Sequence, residues 1–343
     1  MIPASTLTRQ PSLWQRELLA AYREPLSLLR DLGLAERIGR DLPAATQLQR
    51  FPLRVPRGYV ARMRRGDPQD PLLLQVLPRS AEYGPPVPGY SPDPLREQAA
   101  LRAPGLLQKY AGRALLIATG ACAVHCRYCF RREFPYDASS GGGGRWRDAV
   151  AALRSDPSIT ELIVSGGDPL MLSDLRLAEL TDALRPIGQL RRLRIHSRLP
   201  IVLPERVDAG LLGWLASLPW SVVIVLHANH ANEIDATVRD ACSALRAQGV
   251  TLLNQSVLLA GVNDSADALA ELSESLFAAG VLPYYLHLLD PVVGTAHFAV
   301  PEERAVAELQ ALAARLPGYL VPRLVREIPD RPAKTVISAG LSR

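Results

Sequence analysis

From residue 114 onward the chain alternates short apolar runs with helix-length stretches. The runs are residues 114–119, 161–165, 193–197, 222–227, 251–258 and 283–288. Such alternation predicts βα units around a parallel sheet. Six units in about 175 residues are too few for a closed eight-unit barrel, so the expected fold is α/β, an open partial (βα)6 barrel. Upstream, residues 12–48 carry Trp14, Leu18, Leu19, Tyr22 and Leu26 at helical spacing. A Pro-rich stretch including Pro78, Pro85 and Pro94 follows and reads as irregular connection. The expected organisation is a helical and irregular N-terminal segment over 1–107, the barrel over 108–315 and a short C-terminal segment over 316–343.

Most of the apolar runs end in polar residues able to do chemistry: Ser165-Gly166-Gly167-Asp168, His196-Ser197-Arg198, His227-Ala228-Asn229-His230, and His287 to Asp290. Asn254-Gln255-Ser256 lies within the fifth run. In parallel α/β folds the carboxyl ends of the strands line the active site, so these residues are expected to face it. Gly141 to Gly144 resemble a phosphate loop only superficially, since no Lys-Ser/Thr follows and no strand feeds them. They read as a surface loop.

Directly after the first run comes Cys122-Ala-Val-His-Cys126-Arg-Tyr-Cys129. Three thiolates can hold three irons of a 4Fe–4S cluster and leave the fourth iron free. An open iron of that kind can chelate the amino and carboxylate groups of S-adenosylmethionine and pass an electron to its sulfonium, giving a 5′-deoxyadenosyl radical. The alternative is a zinc knuckle with His125 as the fourth ligand, but zinc sites favour paired spacings that this stretch lacks. Cys242 lies in a helical stretch and reads as a buried, inert thiol.

Composition adds three points. Four cysteines, three of them clustered, make a poor disulfide framework and a good metal site. No apolar run is long enough for a membrane span and no signal-peptide order opens the chain, so a cytoplasmic location is expected. The net charge of +5 comes from arginines spread along the chain, which does not suggest nucleic-acid binding. Of the 39 basic residues only Lys109 and Lys334 are lysines. A chain that uses arginine wherever charge suffices retains lysine where an amine is needed, because a guanidinium cannot form a Schiff base.

Taken together, these residues resemble the lysine 2,3-aminomutase family of radical S-adenosylmethionine enzymes, and within it the short bacterial branch linked to β-lysylation of elongation factor P. The resemblance rests on Lys109-Tyr110 with Arg113, Cys126-Arg-Tyr-Cys129-Phe-Arg-Arg132, Ser165-Gly-Gly-Asp-Pro169, Ser197-Arg198, Asn254-Gln-Ser-Val257, Pro283-Tyr-Tyr285 with Asp290, and the stretch from Gly318 to Lys334-Thr335. It implies a 4Fe–4S cluster on Cys122, Cys126 and Cys129, S-adenosylmethionine, and pyridoxal 5′-phosphate carried by Lys334. It further implies that Arg113 and Arg198 hold the phosphate, with Lys109 and Tyr110 nearby and Gln255 beside the cofactor or the adenosine. Arg131 and the loop Ser165, Gly166, Gly167 and Asp168 would meet the methionine end of S-adenosylmethionine, and Tyr128 the adenine. Asp290 and Glu327 would receive the side-chain ammonium of L-lysine, and an external donor would supply the electron. Glu327 stands where the family has aspartate, and Arg331-Pro332-Ala333 replaces a glycine run before Lys334. The expected reaction is conversion of L-lysine to β-lysine, of R configuration, for elongation factor P. The competing readings are an aminomutase for another amino acid such as glutamate, which would need a basic group in place of Asp290, and a non-catalytic metal-binding protein.

Overall fold

The computed structural model describes residues 11–136 and 146–338. Its centre is a ten-stranded sheet whose strands lie side by side in chain order. They are β1 (Leu101–Ala103), β2 (Leu106–Tyr110), β3 (Arg113–Thr119), β4 (Glu161–Gly166), β5 (Arg192–Ser197), β6 (Ser221–Leu226), β7 (Thr251–Val257), β8 (Leu282–His287), β9 (Arg323–Arg326) and β10 (Thr335–Val336). Strands β3 to β9 pair in parallel, while β1 and β2 at one edge and β10 at the other are antiparallel. The six apolar runs are β3 to β8. The loop expected at Gly141 to Gly144 lies outside the described residues.

A helix fills each parallel crossover, as geometry requires of parallel neighbours. The helices are Arg147–Ser155, Asp174–Leu184, Ala209–Ala216, Ala236–Ala247, Ala266–Ala278 and Glu302–Ala313. Four begin where Ser173, Asp208, Asp235 or Ser265 accepts a backbone N–H of the first turn. Alternation along the strands then sorts the side chains. Leu116, Leu162, Ile195, Ile224 and Leu252 are buried beneath these helices in one large core. Their neighbours of opposite phase, among them Ser165, His196, Gln255, Tyr285 and His287, line the concave interior. Cys242 is fully buried in the helical layer, where desolvation pushes its thiol up to about 12.

The sequence pattern missed both edges. The boundary expected after residue 107 falls inside β2, and β9 and β10 extend the sheet through the C-terminal segment. The edges also meet. Lys109 on β2 and Glu327 just after β9, 218 residues apart, form an ion pair at 2.8 Å. The open sheet therefore curls until its two ends are joined by side chains instead of strand hydrogen bonds.

The α-helices of the N-terminal segment are Leu13–Leu19, Pro25–Asp31, Ala35–Ile38, Ala45–Leu48, Arg57–Val60 and Pro71–Leu74. Only part of the expected apolar stripe is buried: Trp14 and Tyr22 are, whereas Leu19 and Leu26 are exposed. Pro25 starts a new helix, so the phase of the first is not carried across the break. Among the described residues no helix is long and apolar enough to cross a membrane.

Candidate active site

The cysteine loop leaves the carboxyl end of β3 and is braced by the N-terminal segment. Arg54 donates to the Cys122 carbonyl at 2.9 Å, and the His125 backbone N–H donates to the Arg54 carbonyl. Arg127, fully buried, donates to both oxygens of Glu82 and to the Phe51 carbonyl. His125 is tied to the N-terminal segment: its Nδ1 bonds the Pro52 carbonyl at 2.8 Å and its ring stacks on Phe51. Among the described residues no group of three or more His, Cys, Asp or Glu side chains is placed to hold a single metal ion. All three are free and near one another electrostatically. Burial first and then Cys126 push the Cys129 thiol up to about 11, and burial with Cys129, Asp168 and Cys126 raises Cys122. Iron would supply the positive charge that thiolates in this setting lack.

The β4 loop is pressed onto the end of β3. Gly167 donates its N–H to the Thr119 carbonyl and Asp168 to that of Ala121. A Cβ on Gly167 would stand 2.5 Å from the Ala121 oxygen, and one on Gly166 (φ +129°) 2.3 Å from the Thr119 oxygen. Both contacts are with backbone, so neither is relieved by a rotamer change. Gly167→Ala is expected to cost about 1–3 kcal/mol of stability, the usual range for overpacking. Chemical denaturation measures this, and an unchanged midpoint would contradict it.

The polar residues of this rim are committed to protein partners. The buried Asp168 carboxylate accepts from Ser197 Oγ and from the backbone N–H groups of Leu170, Arg198 and Leu199. Desolvation nevertheless pushes it up to about 6. Arg131 forms a two-pronged pair with Glu97 (2.7 and 2.9 Å) and donates to Ser165 Oγ and the Gly166 carbonyl. Tyr128 accepts from Arg198 at 2.6 Å.

Arg113 and Arg198 stand at different levels of the sheet. Arg113 begins β3, level with Glu161 and Arg192, whereas Arg198 follows the end of β5. Six residues of strand separate the two levels, about 20 Å. The two arginines thus enter the barrel at different heights. The Arg198 guanidinium donates to Cys126 Sγ, Tyr128, Tyr59, Gln75 and Glu233. Arg113 stacks on Tyr110 at 4.6 Å, and no hydrogen bond from its guanidinium is found among the described residues.

Deeper in the barrel the chain's two lysines meet on one carboxylate. The β9–β10 register pairs Arg326 with Thr335, which sets Glu327 opposite Lys334 at the mouth of the hairpin. Lys334 Nζ donates to one Glu327 oxygen and Lys109 Nζ to the other. Lys109 also pairs with Glu97 at 3.1 Å. Despite burial, the two ammonium groups hold Glu327 down to about 2. Asp290, beyond β8, is treated differently. No hydrogen bond or ion pair to its carboxylate is found among the described residues, and desolvation, then the Glu327 charge, push it up to about 7. Around these groups lie Tyr285, whose ring centre is 6.0 Å from Lys334 Nζ, and Gln255, bonded to His227 at 2.9 Å. The buried Nε2 atoms of His196 and His287 find no hydrogen-bond partner among the described residues.

Sequence reasoning missed Glu97, Glu82, Gln75, Tyr59 and Glu233. The first four lie in the stretch ahead of the barrel, and no local pattern marks them. Glu233 follows the His227–His230 strand end, which was the one available signal.

An open α/β barrel that carries a Cys-x3-Cys-x2-Cys loop at the carboxyl end of its first parallel strand defines a radical S-adenosylmethionine enzyme. No family model matches the chain. It is 48% identical over 329 residues to the L-lysine 2,3-aminomutase of Escherichia coli (strain K12), covering 96% of this chain and 95% of that one. With the Haemophilus influenzae enzyme of the same name the identity is 45% over 336 residues, 98% of each chain. With that of Acetoanaerobium sticklandii it is 35% over 272 residues, 79% of this chain and 65% of that one. A solved radical SAM methyltransferase from Sphaerobacter thermophilus aligns at 20% identity and a TM-score of 0.45, over 64% of this chain and 68% of that one, which is too loose to bear on function. The chain belongs to the L-lysine 2,3-aminomutase family and is an isomerase.

Proposed function

We propose that this protein converts L-lysine to β-lysine, with a 4Fe–4S cluster on Cys122, Cys126 and Cys129, S-adenosylmethionine at the barrel rim, and pyridoxal phosphate on Lys334. The observation that carries this reading is the meeting of the only two lysines on Glu327, beside an Asp290 with no partner among the described residues, inside a barrel with three thiols at its rim. Family membership supports the substrate, since the relatives matched over nearly their whole length are L-lysine 2,3-aminomutases.

The interior suits the cofactor. Lys334 supplies the amine, Arg113 has donors to offer a phosphate, and the orphaned Nε2 atoms of His196 and His287 can serve a polar aromatic group. When bound, the cluster and S-adenosylmethionine supply radical attack on an unactivated C–H bond, and pyridoxal phosphate supplies a conjugated carrier for the amino group. The rest falls to the chain. Glu327 aims Lys334 at the interior, while Lys109 shares that carboxylate so that its charge is not stranded when Lys334 Nζ carries the cofactor. Asp290 receives the substrate's side-chain ammonium, which relieves its desolvated charge and rejects an acidic substrate such as glutamate. The barrel wall and its joined edges exclude water from the reacting carbons.

By the same reading the product is (R)-β-lysine for elongation factor P, made in the cytoplasm with an external electron donor. This finer part is supported by the resemblance to the short branch. Anaerobic assay of the reconstituted enzyme against a panel of amino acids, with products read by mass spectrometry and chiral chromatography, is expected to give β-lysine from L-lysine alone. Turnover of another amino acid in its place, or none of lysine, would overturn the substrate assignment. Cys126→Ala is expected to abolish both the cluster absorbance and turnover.

A further inference from the structure

Arg198 is 6% exposed; both of its Nη groups are hydrogen-bonded, and its Nε finds no partner among the described residues. Its backbone N–H is held by Asp168 at 2.8 Å. One guanidinium nitrogen, Nη1, donates to Cys126 Sγ at 2.8 Å and to the Tyr128 hydroxyl at 2.6 Å. The other, Nη2, donates to Gln75 Oε1 at 2.7 Å, Glu233 Oε2 at 2.8 Å and the Tyr59 hydroxyl at 3.1 Å. Glu233 is itself pinned by the backbone N–H groups of Asn229 and His230 and by the Gln75 amide. Among the described residues, Cys126 is the one cysteine of the three whose sulfur receives a side-chain hydrogen bond. The donor carries a full positive charge in a site from which water is largely excluded.

We propose that Arg198 sets the reduction potential of the cluster through its hydrogen bond to the Cys126 sulfur, and that Glu233 sets how much of its charge the cluster feels. The inference rests on the cluster reading of the three cysteines. One electron from an external reductant enters the oxidised cluster, and no bond forms or breaks in that step. The reduced cluster is more negative by one unit, so a fixed N–H donor and a buried cation at a coordinating sulfur stabilise it more than the oxidised form. Hydrogen bonds to the sulfurs and local charge are two of the main determinants of such potentials. The Glu233 carboxylate, on the far side of the guanidinium, offsets part of the effect. Arg198 is thus a positioning residue for electron entry and not a phosphate ligand.

The test is an EPR-monitored redox titration of anaerobically reconstituted wild type, Arg198→Gln, Arg198→Lys and Glu233→Gln, with iron and sulfide content measured on each. Arg198→Gln is expected to shift the midpoint to more negative potential by at least a factor of ten in the reduction equilibrium, about 59 mV for one electron. Glu233→Gln is expected to shift it the opposite way, and Arg198→Lys to fall between Arg198→Gln and wild type. Midpoints that agree with wild type in iron-replete Arg198→Gln and Glu233→Gln would overturn the proposal. Should Arg198→Gln fail to take up iron, Glu233→Gln decides alone, a positive shift supporting the proposal and an unmoved midpoint overturning it. Wild-type protein that binds no iron would instead overturn the cluster reading beneath it.

Discussion

Lys334→Ala protein is expected to lose lysine turnover to the detection limit while remaining folded. The argument starts from the carboxylate that Lys334 shares. Removing its ammonium leaves Glu327 with Lys109 at 2.8 Å, so no buried charge is stranded. The cost to stability should be that of one charged hydrogen bond, about 1.5–3 kcal/mol. Chemistry is another matter, because a covalent carrier needs an amine at this place and alanine offers none. Lys109 cannot stand in, being tied to Glu97 as well and fixed to the opposite edge of the sheet. Reconstitution with pyridoxal phosphate, borohydride reduction and peptide mapping give a binary readout, since the chain has only two lysines. Label on Lys334 in wild type and none in the variant is expected. Label on Lys109 in either protein would reverse the assignment.

Asp290→Asn is expected to raise KM for lysine with a smaller effect on kcat. Removing one partner of a desolvated charge pair costs about 2–5 kcal/mol, which is roughly 30- to several thousand-fold in affinity. The free carboxyl, pushed up to about 7, must be ionised to receive the ammonium. Wild-type kcat/KM should therefore fall as pH drops through about 7, and the limb should vanish in the variant. In the complex the bound ammonium favours the carboxylate, so the limb in kcat lies at lower pH. The sign for stability is opposite. A folded-state value raised from 3.8 gives stability that is fully present below about 3.8 and lost as pH rises through about 7. Asp290→Asn should thus be at least as stable as wild type at pH 8. Loss of stability there, or a KM unchanged by the substitution, would refute the ammonium-site assignment.

Glu327 shows why the two acids, though both expected to bind substrate, differ once the chain is folded. Both face the interior, but two ammonium groups hold Glu327 while none found among the described residues holds Asp290. A similar division separates the arginines. Arg113 and Arg198 read alike along the chain, yet one stacks on Tyr110 and the other is tied to a cysteine sulfur.

What the sequence by itself determined was local or periodic: six strands from their apolar runs, the crossover helices between them, the three-cysteine loop after the first strand, and the rarity of lysine. Each depends on residues near one another in the chain, where hydrophobic period, capping chemistry and ligand spacing act directly. Only the tertiary structure decided what the two lysines do. Lys109 and Glu327 are 218 residues apart, and nothing at either position announces the other. They meet because a twisted parallel sheet of seven strands curls on itself, and because a hairpin register beyond it sets Lys334 opposite Glu327. The same holds for Glu97, Gln75 and Glu233, whose roles follow from burial beside a guanidinium rather than from any pattern in the chain.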